Sequence, residues 1–126
     1  MKTLREEAIW AIEAARHEGW IGEGDTAVLF HSWTQQKRYL DHLTAAFSHP
    51  RVLHAVAIKT QPHVEILRHV VGWGYGLEAA SMEEVHLARK AGCPPERIVF
   101  DSPVKTRREI EQCQEDLHGI RFNVTR

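Results

Sequence analysis

From residue 50 onward, short apolar runs begin near Val52, Tyr75, Arg97 and Ile120, at a spacing of roughly 22 residues. The stretch after each of the first three has helical periodicity. A first helix is predicted over Pro62 to Val71, with Val64, Leu67 and Val71 on one face and a stop at Gly72, Trp73 and Gly74. A second begins at Ser81, where Ser81 and Glu84 have the spacing of a capping box, and ends at Gly92 with Pro94 and Pro95 beyond it. A third starts from Thr106 and Glu109, another capping-box pair, and buries Ile110, Cys113 and Leu117.

Ahead of this repeat, residues 4 to 18 predict an amphipathic helix with Leu4, Ala8, Ile12 and Ala15 on its buried side, closing at Gly19. A flexible stretch, Gly22 to Asp25, leads to Ala27 to Phe30, a candidate short strand. Residues Ser32 to Gln35 then cap a helix whose Tyr39, Leu43, Ala46 and Phe47 share one face, ended by His49 and Pro50.

Alternating strands and helices imply parallel strands, in either an open doubly wound sheet or a closed eight-stranded barrel. Short, even spacing favours the barrel. A complete one needs about 250 residues and eight units, whereas this chain supplies four strands and three following helices. The fold expected is therefore α/β, a partial TIM (β/α)8 barrel. It is one domain, with residues 1–24 as an amino-terminal helical extension and 25–126 as a half-barrel. Such a half leaves sheet edges open, and a homodimer or association with the remaining half of the barrel is expected.

Composition narrows the function. The chain has 126 residues, 43% hydrophobic, with 16 basic and 17 acidic side chains. No broad field is available to attract nucleic acid or an anionic membrane, and neither partner is expected. The start of the chain lacks an uninterrupted apolar stretch, and only two cysteines occur, which makes a reducing cytoplasm the expected location. Without a secretory signal, the Asn123, Val124, Thr125 glycosylation triplet carries no weight. Cys93 and Cys113 are expected to be packing residues. His63 and His69 are six apart and His42 and His49 seven apart, so neither pair has helical metal-site spacing, and no metal is expected.

Lys59 stands out. The run Ala55 to Ile58 reads as a fully buried parallel strand that ends by delivering an amine, with Pro62 placed as the first residue of the next helix. Active sites of parallel barrels lie at that end of the strands. By itself, though, a lysine leaving a strand is most often simply solvated.

The neighbouring motifs add to this. From about Asp25 to its end, the chain resembles the amino-terminal part of the barrel domain of fold-type III pyridoxal-phosphate decarboxylases, which act on diaminopimelate, ornithine or arginine. The family pattern Tyr-Ala-Val-Lys-Ala-Asn-Pro is met by Val56 to Pro62, with Lys59 and Pro62 matching. The pattern Phe-Asp-Val-Ala-Ser with a following Glu is met by Leu77 to Glu84, where Glu78 is an acid one methylene longer. Ala91 to Phe100 with Ser102 to Thr106, and Ile120 to Val124, are similar to the third and fourth strand regions. The chain departs from the pattern at Gln61 for Asn, Val56 for an aromatic and His31 for Asp, which leaves substrate identity open. A second family, small barrel proteins that bind the cofactor without known turnover, shares the Lys59, Thr60, Pro62 signature but not the segment Glu78 to Ser81.

The resemblance implies pyridoxal 5'-phosphate as cofactor, Lys59 as the Schiff-base lysine, and Glu78 as a cofactor-binding acid that orients the lysine or the ring. Desolvation would make such a lysine nucleophilic near neutral pH. Ser81 is expected to cap its helix, and Lys105 to be solvated or structural. In the family the phosphate cradle, the acid on the pyridine nitrogen and the ring-stacking histidine come from later strands. The implied function is decarboxylation of a small-molecule amino acid, with this chain as the amino-terminal piece. A racemase of the same barrel type and a non-catalytic cofactor-binding or regulatory module remain open alternatives.

Overall fold

The computed structural model describes residues 3–124, and the chain divides inside helix α2 (Trp33–Ala46) into two compact units, Met1–Tyr39 and Leu40–Arg126.

In the first unit, helix α1 (Leu4–His17) starts at a capping box. The Thr3 N–H donates to Glu6 at 2.7 Å, and the Glu6 N–H to the Thr3 hydroxyl at 3.3 Å. These bonds satisfy two of the donors that a helix start leaves orphaned. The expected buried stripe is not formed. Only Ala15 of α1 is buried, while Leu4 is 70% and Ile12 39% exposed. Nor do Ala27 to Phe30 form a strand, and Leu29 is 76% exposed. An isolated extended segment has no ladder to satisfy its backbone, so β-propensity alone does not make it a strand. Helix α2 likewise leaves Tyr39, Leu43 and Phe47 exposed rather than on a buried face.

The second unit is a four-stranded parallel sheet in chain order, β1 (Ala55–Ala57), β2 (Gly76–Ala79), β3 (Ile98–Phe100) and β4 (Arg121–Phe122). Helices α3 (Val64–Gly72), α4 (Met82–Lys90) and α5 (Arg107–Asp116) follow the first three strands, close to the predicted units. This is an arc of a (β/α)8 barrel. Pairing sets Leu77 opposite Ile98 and Ala79 opposite Phe100, and all four are fully buried in a core with Leu67 and Val70 of α3 and Val85 and Ala88 of α4. Each large aliphatic or aromatic side chain sealed in this way contributes about 1.5–3 kcal/mol. Because strand side chains alternate, Ala55, Ala57, Gly76, Glu78, Val99 and Arg121 share the opposite face.

Two predicted details change. The run Ala55 to Ile58 is not a fully buried strand. Residues Ala55 to Ala57 are half-buried, only Ile58 is sealed, and Ile58–Thr60 turn into a 3-10 helix. Pro62 is not the first helical residue, because His63 is the N-cap of α3. Pro62 restricts the residue before it, and Gln61 is accordingly extended at φ -159°, which separates the turn from the helix.

Helix stops follow the glycines. Gly74 (φ 93°) and Gly92 (φ 82°) take left-handed conformations just after α3 and α4. Tyr75 N–H bonds Val70 O at 3.3 Å and Cys93 N–H bonds Ala88 O at 3.0 Å, the six-to-one bond of a Schellman ending. Both cysteines are buried and free, and burial pushes the Cys93 thiol up to about 11 and the Cys113 thiol up as well, as suits packing residues. Among the described residues, no helix is long and apolar enough to cross a membrane.

Gly76 is held by space rather than by φ. A Cβ built there meets the Arg97 carbonyl oxygen at 2.4 Å, whereas one built at Gly72 meets nothing within 4 Å. Gly76→Ala should therefore cost about 1–3 kcal/mol in urea denaturation. Gly72→Ala, in the last turn of α3, should be neutral or stabilising by up to about 1 kcal/mol.

Candidate active site

The carboxyl ends of the four strands form the rim on which Lys59, Glu78 and Asp101 stand. Lys59 lies in the turn after β1. Thr60 donates its hydroxyl to the Ala57 carbonyl at 2.7 Å, and the Gln61 N–H bonds the Ile58 carbonyl at 2.9 Å. With Ile58 sealed in the core and its neighbours tied, the Lys59 side chain is exposed. The burial expected of it is therefore not found in this chain. Among the described residues its ammonium has no hydrogen-bond partner.

Glu78 sits on the face of β2 that points away from the helices, paired in register with Ala57 on one side and Val99 on the other. It is half-buried, and burial raises its pKa above the ordinary 4.5, opposed by the charge of Lys59 and reinforced by Asp101 and Glu84. Lys59 thus stands within electrostatic reach of Glu78. Asp101 follows β3 directly and its N–H bonds the Ala79 carbonyl at 2.8 Å, which keeps it beside the end of β2. Asp101 has the same sequence signal as Lys59, a charged residue directly after an apolar strand, and was not among the residues expected at the site.

Ser81 caps α4 through the Glu84 N–H at 3.3 Å, but the predicted capping box is only half formed. The Glu84 carboxylate reaches past the cap to the Ala80 N–H at 2.7 Å and so fixes the turn between β2 and α4. Lys105 is structural in its contacts, with its ammonium donating to the Ser102 and Asn123 carbonyls, each at 2.6 Å. A cavity of about 690 Å3 lies wholly in the first unit between α1 and Phe30 to Gln35 and contains no rim residue. Among the described residues, no three His, Cys, Asp or Glu side chains converge as a metal site would require.

Four parallel strands with intervening helices define a partial (β/α)8 barrel, and Lys59 and Glu78 stand at the carboxyl ends of neighbouring strands. Residues 34–124 match the family of pyridoxal-dependent decarboxylases, in its pyridoxal binding domain, and the chain belongs to that family. It is similar to a diaminopimelate decarboxylase of Archaeoglobus fulgidus, 28% identical over 94% of this chain and 27% of that protein. Among solved structures it resembles the Helicobacter pylori diaminopimelate decarboxylase (I148L mutant) complexed with L-lysine, with a TM-score of 0.76 and 27% identity over 87% of this chain and 28% of the other. It also resembles the diaminopimelate decarboxylase of M. jannaschii in co-complex with L-lysine, with a TM-score of 0.73 and 29% identity over 90% and 26%. The chain therefore spans about a quarter of the length of these relatives. The cofactor of the family is pyridoxal phosphate, and a hydrogen-bond-free primary amine beside a carboxylate is a donor set that suits its aldehyde.

The raised pKa of Glu78 has a signed consequence. The folded chain holds its proton to higher pH than the unfolded chain does, so this contribution to stability is full below about 4.5 and is lost as pH rises through the raised value. In denaturant unfolding, Glu78→Gln should match the parent in acid and equal or exceed it at neutral pH by no more than about 0.5 kcal/mol.

Proposed function

We propose that this chain is the amino-terminal part of the catalytic barrel of a pyridoxal-phosphate-dependent amino-acid decarboxylase of the diaminopimelate, ornithine or arginine type, acting in the cytoplasm. The observation that carries the reading is the position of Lys59, an unpaired amine at the carboxyl end of β1 within the field of Glu78 on the next strand. In this reading Lys59 would hold the cofactor through its aldehyde, with Glu78 on the neighbouring strand beside it. When bound, the cofactor supplies the electron sink that loss of a carboxylate requires.

The chain's own groups have separate tasks. Glu78, close to a positive charge and partly withdrawn from water, holds its proton to higher pH than an exposed carboxylate does. Its proposed work is to orient the Lys59 amine and to balance charge next to it. Asp101 adds negative charge from the neighbouring strand end and favours the protonated form of Glu78.

The inner sheet face and the two outer edges, β1 and β4, are proposed to be covered by the other half of a barrel, whether from further strands or from a second copy. Two halves of this kind would bring two copies of Lys59 but no cradle for the phosphate. The chain alone should therefore associate in light scattering and release no carbon dioxide from diaminopimelate, ornithine, arginine or lysine. A monodisperse monomer that decarboxylated any of them would refute the fragment reading.

The role of Lys59 is tested directly by mixing the chain with pyridoxal phosphate, reducing with borohydride and mapping the peptides. The label should fall at Lys59. An even spread over Lys37, Lys90 and Lys105 would show indiscriminate surface chemistry and overturn the assignment.

A further inference from the structure

The carboxyl ends of β3 and β4 are joined by a side chain rather than by the backbone. Asn123 N–H donates to the Phe100 carbonyl at 3.2 Å, the last bond of the β3–β4 ladder. In a parallel pair the next rung would bring a backbone N–H from the β3 side, two residues beyond Phe100, onto the Asn123 carbonyl. The ammonium of Lys105 stands there instead, 2.6 Å from the Asn123 carbonyl, and donates at the same length to the Ser102 carbonyl. It also lies 5.6 Å from the centre of the Phe100 ring, close enough for a cation–π attraction. Two carbonyls that strand divergence leaves facing each other are thus bridged by one cation, and bonds to a charged donor are the stronger kind.

The bridge is built into its loop. Ser102 donates its hydroxyl to the Val104 carbonyl at 2.8 Å and accepts from the Val104 N–H at 3.3 Å, so residues 102 to 104 form a closed turn that presents Lys105. Immediately beyond, Thr106 begins α5 with a full capping box. Immediately before lies Asp101, whose charge acts on Glu78. Asp101 is tied to the Ala79 carbonyl by its own N–H, and the turn that Lys105 anchors holds the chain directly after it.

We propose that Lys105 is a positioning residue for the site. By bridging the Ser102 and Asn123 carbonyls it locks the carboxyl ends of β3 and β4, and with them the segment that leaves Asp101. This rests on the assignment of Lys59 as the cofactor-carrying amine. A second effect follows from the same contacts. The Lys105 amine is committed to two carbonyls, so it competes poorly for an aldehyde that the unpartnered Lys59 can take.

The test compares the full chain with Lys105→Met, Lys105→Arg and Lys105→Gln. One readout is amide hydrogen exchange at Asn123 without cofactor. The other is the apparent affinity for pyridoxal phosphate, read as borohydride label at Lys59 over a cofactor titration. Lys105→Met should speed Asn123 exchange and weaken labelling at Lys59, each by about tenfold, the equivalent of one charge-assisted hydrogen bond. Lys105→Arg, which keeps the charge and more than one donor, should restore most of both. Wild-type affinity at Lys59 in a folded Lys105→Met protein would overturn the inference and leave the bridge with a structural role only. If Lys105→Met does not fold, Lys105→Gln decides, with weakened labelling in support and wild-type labelling against. Absence of label at Lys59 in the parent chain would remove the assignment of Lys59, and this inference with it.

Discussion

The register between β2 and β3 is the constraint on which the rest of this chain depends. Leu77 and Ala79 on one strand and Ile98 and Phe100 on the other are all sealed against α3 and α4. A slip of β2 by one residue would turn Leu77 and Ala79 outward and press Glu78 into the helices. Placing a carboxylate in that layer carries a penalty of several kcal/mol unless it is neutralised, and the apolar burial of Leu77 and Ala79 would be lost at the same time. Glu78 consequently has one available face, beside Ala57, with Lys59 two residues further along the chain. The geometry of the candidate site is a by-product of how the core is sealed.

Two lysines follow apolar strands in this chain, and their surroundings separate them. Lys59 emerges from a tight turn whose hydroxyl and amide groups satisfy each other, so nothing in the turn needs its ammonium. Lys105 emerges where two strands part and leave carbonyls unpaired, and it is drawn into bridging them. What a strand-end lysine can do depends on whether the ladder beneath it ends with its polar groups satisfied.

Much of this was legible in the chain. The repeated apolar runs, the caps at Ser81 and Thr106 and the glycines that end α3 and α4 are local signals, and each element that they announce is present within a few residues. Lys59 and Glu78 were legible as strand-end residues within recognisable motifs. The failures are cases in which partners decide. Ala27 to Phe30 has the residues of a strand but no strand beside it, and the apolar stripe of α1 has too little of its own unit to pack against. The 3-10 turn at Ile58 to Thr60 reflects closure by the Thr60 hydroxyl and the restraint of Pro62, neither of which alters hydrophobic periodicity. The Lys105 bridge joins residues 18 positions apart through backbone carbonyls, and carbonyls have no sequence signature.

Strand order in the sheet is the same as order in the chain, and every strand pairs only with its predecessor and successor. No contact in the sheet therefore waits for a distant segment to arrive. Each new strand closes a loop of roughly one repeat, for which the entropic cost is small and nearly constant. That order suits a chain emerging from the ribosome, because each unit has its docking surface ready before the next is made.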